Sequence, residues 1–258
     1  MDGRFLSKPD VIAASRSFIC VRMMTYESAS EAEVLQALWR PGAPLENTVF
    51  AILDPTARPI LRGGRSPSMM FRDSADLAKT MDEVARNYQS NKNTPETLPL
   101  IDSVRLAVDV AACDHRPLVV VLGNNSEDQQ RLASTLAPVA WSDALMGKLV
   151  YASGSSYDLK QIRGASISRG YLFVAPNLFG TAGSTISQLG PSANRADLEQ
   201  AARHAIDSYR PQVLNHHDHV RAGHEEGIEW QTAIPITDPH SLQAIERDRM
   251  RHAGWSRF

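Results

Sequence analysis

Four of the chain's eight histidines, His216, His217, His219 and His224, fall within the run Asn215-His216-His217-Asp218-His219-Val220-Arg221-Ala222-Gly223-His224-Glu225-Glu226. Imidazole is the commonest nitrogen ligand for transition metals, and a carboxylate such as Glu225 can complete a site. On a helix, His216 and His219 share a face at i, i+3, and His217 and His224 share another at i, i+7. On a strand, His217 and His219 share a face. Either conformation supplies a pair. A third ligand must come from a turn at Gly223 or from His204, His115 or Cys113. The ligand type points to copper or zinc rather than magnesium or calcium, held for a structural, carrier or regulatory purpose. The plain alternative is a solvated polar segment. No His-Glu-x-x-His pattern locks the geometry, and Leu214 stands where a His-x-His-x-Asp-His pattern needs its first histidine.

Other chemistry-bearing residues are sparse. Cys20 lies in an apolar run, 18–24, where a small side chain is expected to be buried. Cys113 ends a helical pattern just before Asp114-His115-Arg116, so a single-cysteine thiol enzyme is a further reading. The histidine two positions on does not face it along a helix. In Gly63-Gly64-Arg65-Ser66-Pro67 the glycine amides and the Arg65 guanidinium could meet a carboxylate or phosphate, or the glycines could simply form a turn. Tyr26 and Glu27 follow an expected strand, at the end of a sheet where open α/β folds bind ligands.

The elements that must position these residues occur in one order twice. The first half reads as a helix over 9–17, a strand over 18–24, and a helix capped by Ser28 or Ser30. A strand over 48–53, a return over 59–62 and an amphipathic helix over 73–88 follow. After a polar linker at 89–96 come a helix over 101–112, the most hydrophobic strand at 118–122, and a helix capped by Ser126. A strand near 148–152, a short helix over 157–163, strands over 171–175 and 184–189, and a closing helix over 194–209 complete the second half. The expected division is 1–90, 98–210 and a histidine-bearing extension over 211–258.

Helix, strand, helix, then a late hairpin and helix is the order of the thioredoxin fold. Both halves resemble thioredoxin-like domains, best at Val49-Phe50-Ala51-Ile52-Leu53-Asp54-Pro55 with the Ile60-Leu61 return. Glu46-Asn47-Thr48-Val49-Phe50, with Gly63-Gly64-Arg65-Ser66-Pro67 downstream, looks like uncharacterised bacterial thioredoxin-like proteins. The resemblance implies an α/β architecture of two mixed sheets flanked by helices. It does not bring the family's chemistry with it. A thioredoxin carries Cys-x-x-Cys where its first central strand meets a helix, because the helix N-terminus stabilises the thiolate. Here those junctions read Thr25-Tyr26-Glu27-Ser28-Ala29-Ser30 and Gly123-Asn124-Asn125-Ser126-Glu127-Asp128. The family's cis-proline positions hold Asn47 and Gly170. Dithiol oxidoreductase activity is therefore not expected.

The composition frames these readings. A chain of 258 residues, 43% hydrophobic and 22% charged, has globular composition. A net charge of −2 offers no electrostatic reason to bind nucleic acid or an anionic membrane. Two cysteines exclude a disulfide scaffold and a four-cysteine metal site. No apolar run is long enough for a transmembrane segment, and no leader is visible, so a cytoplasmic address is the default and a periplasmic one would require a removed signal peptide. Near the end, Trp230, Ile234 and Ile236 alternate like an extended arm, and Trp255 and Phe258 need cover. A docked tail or a homodimer contact through the tail is expected. The leading expectation is a non-redox thioredoxin-like protein holding copper or zinc through its histidine cluster. The alternative is a metal-free protein-interaction scaffold.

Overall fold

The computed structural model describes residues 2–39, 45, 49–89, 97–229 and 231–253. In chain order its first α-helices and strands are α1 (Pro9–Ser15), α2 (Ala29–Trp39), β1 (Phe50–Leu53), β2 (Pro59–Gly64) and α3 (Ser74–Asn87). There follow α4 (Val104–Cys113), β3 (Leu118–Leu122), α5 (Ser126–Ala140), β4 (Val150–Gly154), β5 (Ile162–Arg163), β6 (Gly170–Pro176) and β7 (Gly183–Leu189). Helices α6 (Arg195–Ser208), α7 (His216–Glu225) and α8 (Pro239–Ala253) complete the order. The chain is mixed α/β, in two compact units: Met1–Lys92 with Trp230–Phe258, and Asn93–Glu229. Among the described residues no helix is long and apolar enough to cross a membrane.

The second unit is built on a five-stranded sheet of order β4-β3-β6-β7-β5. Strand β3 runs parallel to β4 and antiparallel to β6, β6 is antiparallel to β7, and β7 is parallel to β5. All five residues of β3 are buried, as an unbroken Leu-Val-Val-Val-Leu run between two neighbours requires. The strand alternation feeds two core layers. Val119, Val121, Tyr171 and Phe173 face Leu132, Leu136 and Leu198 of α5 and α6. Leu118, Val120, Leu122, Leu172 and Val174 face Val104, Val108 and Ala111 of α4. Each helix starts where a short polar side chain can take its orphan amides. Ser103 accepts from the Leu106 N–H, and Asn125 from the Asp128 N–H. Asn194 and Asp197 form a reciprocal capping box on α6.

The first unit departs from the sequence expectation. Its sheet, among the described residues, is the two-stranded antiparallel pair β1–β2, so the mixed central sheet expected of both halves is present in the second unit alone. The expected strand over 18–24 is an irregular segment in which Ile19 and Val21 are 74% and 75% exposed. Cys20, expected to be buried there, is exposed with it. Among the described residues no strand pairs with it, and apolar composition favours a strand only where a neighbour covers it. The core of this unit instead joins Phe5, Val11, Ala14, Ile52, Leu77 and Met81. Asp73 caps α3 through the Asp76 N–H. The linker at 90–96, Glu46-Asn47-Thr48, Trp230, Trp255 and Phe258 lie outside the described residues. The extension from 211 is shared: α7 belongs to the second unit, and residues from 231, with α8, belong to the first.

Candidate functional site

Helix α7 forms over the histidine run because Asn215 caps it, accepting from the Asp218 N–H at 2.9 Å. At about 100° per residue a helix then sorts the cluster between faces. His216 and His219 lie together on one side, and His217 and His224 lie on another, two turns apart along the axis. His219 is half-buried, its ring 5.2 Å from that of Phe179. His216, His217, His224 and Glu225 are exposed. Arg221 pairs with Asp218 at 3.0 Å and approaches Glu225 at 4.0 Å, so the acidic residues of the helix already have a cation. Among the described residues no group of three or more His, Cys, Asp or Glu side chains is arranged to hold a metal ion.

Cys113 is the last residue of α4 and is exposed. Its thiol donates to Asp109 Oδ1 at 4.0 Å, whereas activated cysteines sit beside cations. The glycines before Arg65 are not a free loop. Gly63 and Gly64 end strand β2, and a methyl group at Gly63 would overlap the Phe50 carbonyl oxygen. Arg65, Tyr26 and Glu27 are all half-buried in the first unit. The Tyr26 hydroxyl donates to the Leu45 carbonyl at 3.3 Å.

A different set of residues converges at the carboxyl end of β3. Gly123-Asn124-Asn125 turn the chain into α5, and Gln129 Nε2 donates to the Gly154 carbonyl at 2.8 Å, tying the helix to the end of β4. Asp128, in the first turn of α5, has a side chain only 11% exposed. It receives Arg169 in a two-pronged pair, Nε at 2.6 Å and Nη2 at 2.7 Å, from the residue that precedes β6. Arg131 reaches the same carboxylate at 2.7 Å, and the Asn124 N–H donates to it at 3.2 Å. Around this pair opens a polar groove of about 600 Å³, lined by Asn124, Asn125, Glu127, Gln130, Ser134 and the two arginines. Asp128 and Arg169 are 41 positions apart, and sequence reasoning did not join them. The available signal was the Asn125-x-x-Asp128 capping pattern together with an arginine beside Gly170.

The Arg169 guanidinium first, and then Arg131, hold the Asp128 carboxyl far below the ordinary carboxylate range, against the opposing effect of burial. A carboxyl depressed in the folded state contributes stability above its unfolded value, about 3.9, and that contribution is lost as pH falls from there through the lower folded value. Asp128→Asn is therefore expected to melt at lower temperature than the parent near neutral pH, with the gap closing below about pH 4. Thermal melts across the acid range check this, and a gap that stays constant with pH would remove the ion pair from the account.

Comparison with protein-family models, with curated proteins and with solved structures finds no match to the chain.

Proposed function

We propose that the protein is a metal-free, non-redox interaction scaffold, with a thioredoxin-like domain in its second unit. Support for that domain is the strand order β4-β3-β6-β7 with β3 parallel to β4 and antiparallel to β6, preceded by α4 and closed by α6. This is the order of a thioredoxin core. The observation that carries the function is the Asp128–Arg169 ion pair. It stands where β3 meets α5, the place at which such a fold would carry its dithiol, and cross-ties the helix to the start of β6. The groove around it holds no thiol, and its formal charges cancel, Glu127 and Asp128 against Arg131 and Arg169. Neutral in formal charge and lined by three side-chain amides and the Ser134 hydroxyl, it suits the main chain and polar side chains of a protein partner better than a polyanion.

A transition-metal carrier is the second reading, and the pairing of His216 with His219 on one face of α7 favours it. One measurement separates the two. Untagged protein is dialysed against copper, zinc and nickel, and its metal content is read by elemental mass spectrometry beside a variant with His216, His217, His219 and His224 changed to Ala. The scaffold reading expects less than stoichiometric retention and no difference between the two proteins. One ion per chain in the parent and none in the variant would replace it with the carrier.

A further inference from the structure

The first unit carries a contact region with chemistry of its own. Residues 231–238 run across it without helix or strand, and their burial alternates. Thr232, Ile234, Ile236 and Asp238 are wholly or partly buried, while Gln231, Ala233, Pro235 and Thr237 are exposed. A period of two belongs to a chain laid extended along a surface, one row of side chains turned into it. The Ile234 N–H donates to the Tyr26 carbonyl at 2.9 Å. The Ile234 side chain packs against a small cluster that includes Leu35, Leu45, Met23, Tyr26 and Val49. Four residues on, the Asp238 N–H donates to the Tyr26 hydroxyl at 3.3 Å.

Asp238 is fully buried, at 0% exposure. A buried carboxylate is costly unless hydrogen-bonded and balanced by charge. Here the donors are the first turn of α8, which Asp238 caps: the Ser241 hydroxyl at 2.7 Å and the His240 and Ser241 N–H groups at 3.2 Å, and the Arg65 charge adds a smaller effect favouring the ionised form. A main-chain hydrogen bond, an apolar recess and a cation for an acid are the parts from which extended-peptide recognition is built.

We infer that Tyr26, Arg65 and the Leu35–Leu45–Val49 recess form a recognition site for extended peptides of the pattern apolar-x-apolar-x-acid, and that residues 234–238 occupy it as an internal ligand. The arm supplies that pattern as Ile234, Ile236 and Asp238. Among the described contacts, the surface meets it through two backbone hydrogen bonds to Tyr26 and the half-buried Ile234 and Ile236, while the buried Asp238 carboxylate takes its hydrogen bonds from the start of α8. A tethered ligand competes at an effective concentration in the millimolar range, so a partner gains the site only by outbinding the arm or after the arm is released. The inference is independent of the groove in the second unit and stands or falls without it.

The test uses a fluorescein-labelled peptide of this chain's own residues 231–245, read by anisotropy against full-length protein. Ile234→Asp puts a carboxylate into the apolar recess and is expected to free the arm. That variant should bind the peptide about 100-fold more tightly than the parent. Adding Arg65→Ala to Ile234→Asp should weaken binding by about tenfold or more, and so should replacing the aspartate of the peptide by alanine. No gain in affinity for a variant with native circular dichroism overturns the inference. Equal binding of the aspartate-free peptide does so too. A variant that elutes as a dimer with exchanged arms would assign the site to a second copy of the chain instead. Hydrogen exchange of the unaltered protein is the companion measurement. The Ile234 and Asp238 amides should exchange faster than those of Ile52 and Leu77, and equal protection would make the arm an integral part of the core.

Discussion

Gly170→Ala is expected to destabilise the second unit by about 4 kcal/mol, the sum of backbone strain and overpacking. Gly170 opens β6 with φ +124°, a conformation closed to side-chain-bearing residues. A methyl group there would also overlap the Leu189 carbonyl oxygen on β7. The neighbouring backbone cannot yield cheaply, because Tyr171 pairs with Leu189 in the antiparallel ladder and is itself fully buried. The damage would reach the groove directly, since Arg169 is the preceding residue and its fork onto Asp128 depends on where β6 begins. Amide hydrogen exchange is the suitable readout: β6 and β7 should lose protection first, and the denaturant midpoint should fall without a change of slope. A variant as stable as the parent would mean that the β6 entry relaxes freely, and the ion pair could then not be said to rest on it.

Two apolar runs show why the fold was only partly legible. Leu118–Leu122 and residues 18–24 are both apolar-rich, and both read as central strands. The first has β4 on one side and β6 on the other, with a helical layer over each face. The second has no strand partner among the described residues, and two of its apolar side chains face water. Composition reports that a segment would profit from pairing; it carries no information on whether a neighbour arrives. Capping chemistry, by contrast, is local: the starts of α3 and α6 at Asp73 and Asn194 are visible within three or four residues of sequence, and that of α5 falls at Asn125, one residue before the expected Ser126. The hairpins of both halves were readable for the same reason, each being a strand, a short turn and a strand.

The candidate sites divide along the same line. The histidine run is dense in sequence, yet helical geometry spreads it over two faces, so density did not become convergence. Asp128 and Arg169 look ordinary in sequence and meet only because β3 and β6 are neighbours in the sheet. The arm was legible as an arm, from the alternation of Ile234 and Ile236, but its landing surface was not. In sequence Tyr26 and Arg65 stand out separately, one by position and the other by charge, and the chain's own Asp238 is what associates them. A residue's chemistry is written in its neighbourhood of sequence, whereas its partner is written in the topology.

Gly63→Ala tests whether that surface depends on the sheet beneath it. Gly63 lies in β2, and the register sets Gly64 opposite Phe50, so an added methyl group would run into the Phe50 carbonyl oxygen and crowd Val49 Cγ1. Both obstacles are poorly placed to move. The first is backbone in the only pairing β1 has among the described residues, and Val49 packs in the cluster that receives Ile234. The expected loss is about 3 kcal/mol, that of an overpacked site with little room to relax. Because Arg65 follows two residues later, a shift in β2 also moves a charge that acts on Asp238. Hydrogen exchange at Ile52 should rise with that at Ile234, and urea unfolding of the first unit should begin at lower denaturant. If Ile52 lost protection while Ile234 kept it, the arm would be held by α2 and Tyr26 alone, and β2 with Arg65 would have no part in seating it.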